Sequence, residues 1–258
     1  MTAELLIEEK NGALWVSFNR PKARNALTFA MYEGLAEICA TAHERPGIRT
    51  VVVKGEGGKA FAAGTDMTQF RAFDSAQDAL EYEDRIETVL TAIETCKLPT
   101  IAAIHGACTG GGASIAAVCD LRIASDSLKF GFPIARTLGN CLAAANLARL
   151  SELLGAGRLR EILFTARLVR SEEALQVGLV SEVLEGETAL LARAEQLAAQ
   201  VGAMAPLTLR ATKEALRRNR AATQVEDSDL IEMTYMSADF REGMEAFLAK
   251  RPPVWKGA

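Results

Sequence analysis

Two glycine-rich segments, each following a predicted strand, are the parts of this sequence best suited to chemistry. Gly110, Gly111 and Gly112 separate a short apolar segment at 100–104 from a predicted buried helix that begins at Ala113. The first N–H groups of a helix lack internal partners and carry partial positive charge, so they attract an oxygen that bears negative charge. A purely structural glycine turn accounts for the same residues at this point, because glycine also supplies unusual backbone dihedrals.

The second segment contains Gly55, Gly57, Gly58 and Gly64 and follows a predicted strand at 50–54. Glycines at this density indicate a loop with special backbone requirements. Strand, glycine turn and helix therefore recur in the same order. This order predicts an α/β fold with right-handed crossovers.

The elements around these segments follow from turn signals and hydrophobic periodicity. Asn11-Gly12 predicts a hairpin of strands 5–10 and 13–18, and Thr28 is the expected N-cap of a helix over 28–43. The segment 68–94 is predicted to be helical, with its acidic residues on a solvated face. Further strands are predicted at 121–125 and 128–134, and further helices at 143–154, 187–201, 206–218 and 237–250.

The composition predicts a protein that binds small molecules. The chain has 258 residues, of which 49% are hydrophobic and 24% charged, so it can bury a full core. Its net charge of -4 includes no basic stripe for nucleic acid or anionic lipid. The uncharged window 98–119 is long enough to span a membrane, but Pro99, His105 and the glycines interrupt it, and we expect no membrane segment.

The cysteines and histidines predict neither disulfides nor a metal site. The five cysteines have no CxxC spacing and lie in apolar contexts, which is typical of buried free thiols in a reducing, cytoplasmic compartment. With only His43 and His105, a zinc site is not expected. Glu4, Glu8 and Glu9 near the N-terminus are unlike a secretory signal.

Six motifs in order resemble the crotonase superfamily of enoyl-CoA hydratases and isomerases. They are NRPKARNALT at 19–28, KAFAAGTDM at 59–67, IHGACTGGGASIAAVCDLRIAS at 104–125, FGFP at 130–133, SEEALQVGLVSEV at 171–183 and REGMEAFLAKRPPVW at 241–255. The resemblance implies a spiral core of repeated ββα units at 1–195 and a helical C-terminal region at 196–258 that covers the pocket and assembles trimers or paired trimers. It also implies an acyl thioester of coenzyme A as substrate, with no separate cofactor.

The resemblance also implies which residues form the site. The backbone N–H groups of Thr65 and Gly111 take the positions of the family's oxyanion hole, where the side chain at 65 matters little. The remaining implied substrate-binding residues are Lys22, Ala23 and Arg24 along the nucleotide and pantetheine path, Ala63 at the adenine, Asp66, Met67 and Ile134, and Lys250 near the phosphates. Arg24 and Lys250 also fit as ordinary surface charges. Asp66 and His105 are expected to have structural roles.

Two positions depart from the family's hydratases. The resemblance implies a glutamate three residues after the middle glycine and another directly after the FGxP proline, where this chain has Ser114 and Ile134. Paired carboxylates add water across a double bond, and no Asp or Glu occurs from 127 to 151 to replace the second one. Ser114, Asn140 and Arg136 are the candidate catalytic substitutes, alongside Cys108, Thr109 and Cys141. Ser114 also fits as a small helix residue, because no histidine lies nearby in sequence to activate it.

Two functions remain open. The first is an enzyme, a lyase or isomerase, that stabilises an enolate of an acyl-CoA thioester with an unusual acid/base group, for which Tyr82, Glu81 and Asp84 are further candidates. The second is an acyl-CoA-binding protein without turnover. Apolar residues near the C-terminus exceed what a solvated tail should show and predict a homotrimer or hexamer; they are Ile231, Met233, Tyr235, Met236, Phe240, Met244, Phe247 and Leu248.

Overall fold

The chain begins with the predicted hairpin. The computed structural model describes residues 4–222 and 225–257, apart from the side chains of residues 71 and 72. Strands β1 (Leu5–Lys10) and β2 (Ala13–Phe18) pair antiparallel, with Leu5 opposite Phe18. Asn11 and Gly12 both have positive φ, 50° and 76°, which is the backbone of the tight hairpin turn that this dipeptide favours. The hairpin prediction is confirmed.

Two sheets share the remaining strands. The larger sheet has the order β1, β2, β3 (Thr50–Gly55), β5 (Thr100–Ile104), β7 (Leu121–Ser125) and β10 (Val183–Leu184). The smaller sheet has the order β4 (Ala60–Ala62), β6 (Ala107–Thr109), β8 (Lys129–Gly131) and β9 (Val169–Arg170). All pairs are parallel except β1 with β2 and β8 with β9.

Successive strands alternate between the two sheets and then lead into a helix. The first repeat is β3, β4 and α2 (Ala76–Glu94), the second β5, β6 and α3 (Gly111–Val118), and the third β7, β8 and α4 (Ile134–Thr137). The predicted α/β class and the repeated ββα unit are confirmed. Strand β6 had no prediction of its own, because its three residues lie between Gly106 and Gly110 and are too few to show a period.

Helix α2 is shorter than the segment predicted to be helical. Residues Met67–Ala72 form a 3-10 helix, and the α-helix starts only after Ser75. The Ser75 side chain accepts a hydrogen bond from Asp78 N while the Asp78 side chain accepts one from Ser75 N, so a capping box fixes this start.

The other helices that were predicted, at 28–43, 143–154, 187–201, 206–218 and 237–250, are present, whereas the helices Ala156–Thr165, Ser171–Gln176 and Ser228–Tyr235 had no prediction. Helix α1 (Phe29–Thr41) begins at Thr28, whose hydroxyl accepts a hydrogen bond from Met31 N as expected. The remaining helices are α5 (Ala144–Leu154), α6 (Ala156–Thr165), α7 (Ser171–Gln176), α8 (Gly186–Gly202), α9 (Pro206–Ala221), α10 (Ser228–Tyr235) and α11 (Ala238–Leu248). In the part of the chain at 4–222 and 225–257, no helix is both long and apolar enough to cross a membrane.

Three apolar clusters hold these layers together. The largest lies between the sheets and helices α1 to α3, and the second lies where α8 packs Leu190, Ala194 and Leu197 against the outer face of the larger sheet. The boundary predicted between residues 195 and 196 falls inside α8. The third cluster packs Tyr235 and Phe240 against the 3-10 segment and the start of α2.

The third cluster buries several of the apolar C-terminal residues that were expected to lie at an interface between subunits. Ile231, Tyr235 and Phe240 are buried within the chain, so they do not contribute to a free surface. Met233 and Phe247 remain exposed at 65% and 51%. Helices α10 and α11 therefore pack over a pocket within the same chain.

Candidate active site

The two glycine loops meet where β4 and β6 end. A Cβ added at Gly110 would lie 3.3 Å from Gly64 Cα, so the two backbones are in contact. Gly64 and Gly110 have φ of 104° and 52°, which side chains with a Cβ rarely adopt. Glycine is therefore required at 64 and 110 for two reasons: the positive φ values and the close contact between the two backbones.

The N–H groups of Thr65 and Gly111 are both available to a ligand. Leu27 N donates to Gly64 O and Asp66 N donates to Leu27 O, each at 2.8 Å, so the hydrogen bonds of this parallel bridge use the neighbours of Thr65. The N–H of Thr65 consequently points away from Leu27. Gly111 is the first residue of α3, where a helix leaves its N–H groups unused. Neither N–H has an acceptor among the described residues.

Gly111 is confined by a tyrosine hydroxyl. A Cβ at this position would lie 1.7 Å from Tyr32 Oη and 3.3 Å from Thr65 Oγ1. Tyr32 Oη is 2.9 Å from Thr65 Oγ1, which is in turn 3.0 Å from Tyr82 Oη. The Thr65 hydroxyl therefore links the two tyrosine hydroxyls beside the loop, whereas the family resemblance implied that the side chain at 65 matters little.

A cavity of about 190 Å³ continues inward from these loops. Ser114 on α3 and Ile134 on α4 line it, together with Asn140 and Asn146. Ser114 Oγ accepts a hydrogen bond from Asn146 Nδ2 at 2.8 Å and donates a long one to Gly110 O at 3.4 Å. Ser114 thus has only an amide and a carbonyl as partners, and neither can activate it as a base.

Glu83 on α2 also lines this cavity. Its neighbours Glu81 and Asp84, which were candidate acid/base residues, are both exposed, and neither lines the cavity. Glu83 Oε1 accepts a hydrogen bond from Tyr235 Oη at 2.5 Å, and Asn140 Nδ2 donates to the same Tyr235 Oη at 3.0 Å. A carboxyl group is therefore present in the pocket, on a helix remote in sequence from positions 114 and 134.

The environment of Glu83 favours its protonated form. Burial raises the pKa of the Glu83 carboxyl to about 7; the hydrogen bond from Tyr235 lowers it, while the carboxylates of Asp227, Glu87 and Asp84 raise it. Glu83 forms no ion pair within the described residues. A carboxyl with a pKa near neutrality can both accept and donate a proton at physiological pH.

Two other carboxylates of helix α2, those of Glu87 and Glu94, are neutralised by arginines. Arg149 pairs with Glu87 at 2.5 Å and with Glu94 at 2.8 Å, and Arg220 pairs with Glu94 at 2.5 Å. The prediction that the acidic residues of this helix lie on a solvated face is therefore wrong for Glu94, which is buried, and for the partly buried Glu83 and Glu87. The burial of Glu83 could have been predicted from its position, because it falls on the apolar stripe formed by Ala79, Ile86 and Leu90.

A wider groove of about 800 Å³ leads out from the loops along the surface. Of the residues expected to bind substrate, it is lined by Ala23, Arg24, Ala63, Thr65, Asp66 and Met67. Two cations that had not been predicted, Lys59 and Lys129, also line it. Lys59 follows Gly58 in the loop before β4, and Lys129 is the first residue of β8.

Three expected site residues lie outside both cavities. Lys22, Arg136 and Lys250 are exposed, and none lines the groove or the inner cavity. The expectation that Arg136 lies on the acyl pocket is therefore not supported by its position, because α4 turns this side chain to solvent. Gly111, Ser114, Ile134 and Asn140 all line the inner cavity.

Buried polar contacts hold the groove's walls. Asn25 Nδ2 donates to Ala60 O at 2.8 Å, and Asn25 Oδ1 accepts from Arg20 N at 2.9 Å, which fixes the loop before α1 against β4. Asp66 caps the 3-10 segment and pairs with Arg20 at 2.9 Å. His105 Nε2 lies 2.7 Å from Gly58 O. These contacts are consistent with structural roles for Asp66 and His105.

The thiols lie away from this chemistry, with one exception. Cys39, Cys96, Cys108 and Cys119 are buried and reduced, and Cys141 is partly buried beside the inner cavity. Within the described chain, no three His, Cys, Asp or Glu side chains are grouped so that they could hold a metal ion. The polar groups that line the inner cavity are therefore backbone donors, hydroxyls, amides, the Cys141 thiol and the Glu83 carboxyl.

Comparison with known proteins agrees with this architecture. The family model for enoyl-CoA hydratase/isomerase matches residues 8–258. A crotonyl-CoA hydratase of Syntrophomonas wolfei is 33% identical over 257 residues, 97% of each chain. An enoyl-CoA hydratase/carnithine racemase from Magnetospirillum magneticum is 33% identical with a TM-score of 0.79, covering 100% of this chain and 97% of that one. A methylmalonyl-CoA decarboxylase in complex with 2-nitronate-propionyl-CoA is 27% identical with a TM-score of 0.90, covering 100% of both chains. This chain belongs to the enoyl-CoA hydratase/isomerase family.

Proposed function

We propose that this protein catalyses a reaction of a short-chain acyl-CoA thioester that passes through an enolate. The observation that carries the proposal is the pair of free N–H groups at Thr65 and Gly111, on loops held in contact by Gly64 and Gly110. Backbone donors aimed at a developing oxyanion stabilise the transition state more than the ground state, and each such donor typically contributes roughly 3 kcal/mol.

The two cavities match the two parts of such a substrate. The outer groove has Arg24, Lys59 and Lys129 along its walls and so suits the phosphates of a nucleotide. The inner cavity of about 190 Å³ suits a short acyl group. Since Thr65, Ala63 and Met67 line both cavities, a thioester that extends from one to the other passes the N–H donors.

The reaction that fits the pocket best needs no more than one proton-transfer group from the protein. Isoleucine at 134 cannot move a proton, and Ser114 is held by an amide, so the two-carboxylate hydration route lacks its groups. Isomerisation of a double bond and decarboxylation of a malonyl-type thioester both proceed through an enolate without the addition of water. Among the similar structures, the methylmalonyl-CoA decarboxylase, at a TM-score of 0.90, supports including malonyl-type thioesters as substrates.

The alternative is an acyl-CoA-binding protein that does not turn its ligand over, and it is favoured by the absence of glutamates at 114 and 134. Turnover separates the two functions. Purified protein is incubated with acetyl-, butyryl-, crotonyl-, 3-butenoyl- and methylmalonyl-CoA, and product mass distinguishes hydration, isomerisation, decarboxylation and hydrolysis. Binding in calorimetry together with a changed product supports the enzyme. Binding without any product establishes the binder, and no binding at millimolar concentration refutes both.

We further infer that the protein assembles as a homotrimer or a dimer of trimers. Helix α9 buries none of its residues within the chain and exposes Leu207 at 75% and Leu216 at 64%. Ion pairs of Lys213 with Asp120 and of Arg220 with Glu94 hold the helix against the chain, but they leave Leu207 and Leu216 uncovered. These exposed apolar residues support a contact with a second copy of the chain.

A further inference from the structure

We propose that Glu83 is the residue that moves the proton in this reaction, held in place by Tyr235 and Asn140. The proposal rests on the enolate chemistry proposed above. It places the acid/base group on α2, facing α10, and not on the segments that carry positions 114 and 134. The inner cavity brings Glu83 together with Gly111 although the two are far apart in sequence.

The hydrogen bonds of Glu83 leave one carboxyl oxygen free. Oε1 accepts the proton of Tyr235 Oη at 2.5 Å, and Asn140 Nδ2 donates to that same oxygen of Tyr235 at 3.0 Å. Because Tyr235 receives from Asn140, its own proton is directed to Glu83. Oε2 has no hydrogen-bond partner among the described residues. One oxygen thus orients the carboxyl, and the other, in a side chain that lines the cavity, has no hydrogen bond to a described residue.

Tyr235 is itself held firmly. Its side chain is buried, at 1% exposed, and its ring centroid lies 4.8 Å from that of Phe240 and 6.2 Å from that of Tyr82. Packed aromatic rings of this kind have little rotational freedom. Tyr235 therefore acts as a positioning residue for Glu83.

The described groups around Glu83 include acidic residues but no cation, so its carboxyl is not part of a structural ion pair. The titratable groups that face it are Asp84, Glu87 and Tyr82 on its own helix, Tyr32 on α1, Cys141, Asp227 and Tyr235. All of these are neutral or anionic. Glu87 and Glu94 on the same helix are paired with Arg149, whereas Glu83 has no cation within the described residues. A buried carboxyl without a cation keeps its proton to higher pH, which suits exchange of a proton near neutrality.

The other polar groups of the cavity do not provide this function. Ser114 exchanges hydrogen bonds with Asn146 and Gly110 O, and neither partner can take its proton. Asn140 is an amide and does not titrate. Burial raises the pKa of the Cys141 thiol, so this thiol remains protonated at neutral pH.

The proposed step balances with the residues present. The Glu83 carboxylate takes a proton from the α-carbon, and the electron pair of that C–H bond forms a C=C bond while the carbonyl electrons move to the thioester oxygen. The N–H groups of Thr65 and Gly111 bind this oxygen. The Glu83 carboxylic acid then returns a proton to the α-carbon, which gives exchange, or to the γ-carbon of a β,γ-unsaturated acyl group, which gives isomerisation.

Deuterium exchange tests this assignment without knowledge of the native acyl group. Wild type, Glu83→Gln and Glu81→Gln are each incubated with butyryl-CoA and 3-butenoyl-CoA in D2O, and incorporation is followed by mass spectrometry. Glu81→Gln is the matched control, because Glu81 is on the same helix, is exposed and does not line the cavity. Calorimetry with butyryl-CoA checks that each variant still binds.

We expect Glu83→Gln to bind normally and to exchange about 10²- to 10⁴-fold more slowly than wild type, with Glu81→Gln unchanged. The wild-type exchange rate should rise with pH through an inflection near the pKa of Glu83, about 7, and this inflection should be absent in Glu83→Gln. Tyr235→Phe should shift the inflection and lower the rate while exchange persists, as expected of a positioning residue. If Glu83→Gln fails to bind or fold, Glu83→Asp replaces it, and retention of the inflection at a reduced rate is the expected result.

Three other results would contradict the proposal, each in a distinguishable way. Equal exchange by Glu83→Gln and wild type overturns the role of Glu83 and leaves the proposed function intact. Binding without exchange by wild type also overturns it and favours the binding protein. A wild type that binds neither thioester overturns the proposed function itself.

Discussion

At the scale of single residues, the acyl pocket is marked by polar groups that lack hydrogen-bond partners among the described residues. The N–H groups of Thr65 and Gly111 have none in the described chain, and Asn140 and Asn146 each keep a buried Oδ1 without a hydrogen bond. Buried polar atoms without partners are costly and are seldom retained without a reason. These atoms therefore mark the surface that a ligand would satisfy.

The raised pKa of Glu83 predicts a dependence of stability on pH. Because the folded-state pKa, about 7, exceeds the value of an unfolded glutamate, the native state binds more protons between the two values and its free energy of unfolding falls as pH rises through this range. Glu83→Gln removes the charge and should gain stability relative to wild type, by up to roughly 3 kcal/mol at about pH 8 and by little at about pH 4. Urea unfolding at both pH values measures this, with Glu81→Gln as the control. A difference that is independent of pH would contradict the prediction.

The space around Gly111 predicts a steric defect. Gly111→Ala places a Cβ 1.7 Å from Tyr32 Oη, so the tyrosine must move and the variant should lose about 1 to 3 kcal/mol of stability. Tyr32→Phe in the same chain removes that hydroxyl and should restore part of the loss. Gly157→Ala in α6 is the control, because nothing lies within 4 Å of its added Cβ, and it should be neutral or stabilising. Equal stability of the two alanine variants, measured in urea, would show that Gly111 is not confined.

At the scale of elements, helix α2 positions side chains that line the pocket. It carries Tyr82 and Glu83 into the cavity, and its capping box at Ser75 and Asp78 fixes where the helix begins. Ser75→Ala removes one hydrogen bond of the box and should cost about 1 kcal/mol of stability. Thermal unfolding compared with Thr88→Ala, an exposed position in the same helix, measures the effect. A loss no larger than that of the control would argue against the cap.

The elements also show how far the sequence predicts this molecule. Asn11-Gly12, the repeated glycine turns and the apolar runs were enough for the hairpin, for strands β3, β5, β7 and β8 and for α3, because these depend on local dihedrals and hydrophobic period. The position of Glu83 was missed because charge was given more weight than the helical stripe on which it lies. Its partner Tyr235 is 152 residues away, and only tertiary packing brings the two side chains together. Lys59 and Lys129 were also missed, because a single lysine in the loop before β4 or at the start of the short strand β8 shows no period.

At the scale of the whole molecule, exposed apolar surface predicts assembly. Leu207 and Leu216 on α9, with Met233 and Phe247, are exposed in a single chain of 27.7 kDa. Light scattering should therefore give three or six times the chain mass at micromolar concentration. Leu216→Glu should weaken the assembly, whereas Gln77→Glu, which adds the same charge at an exposed polar position on α2, serves as the control. A monomer mass across a wide concentration range would contradict the prediction.

The whole molecule presents one continuous path from a basic outer groove, past two backbone donors, to a small cavity that contains a single carboxyl. The central claim is that this path supports enolate chemistry on acyl-CoA and not efficient hydration. The most direct measurement compares, in one wild-type sample in D2O, the rate of deuterium incorporation into 3-butenoyl-CoA with the rate of water addition to crotonyl-CoA. We predict readily measured deuteration and hydration that is lower by about 10² or more, because the second acid/base group is absent. Hydration as fast as deuteration, or bound thioester that gains no deuterium, would contradict the account.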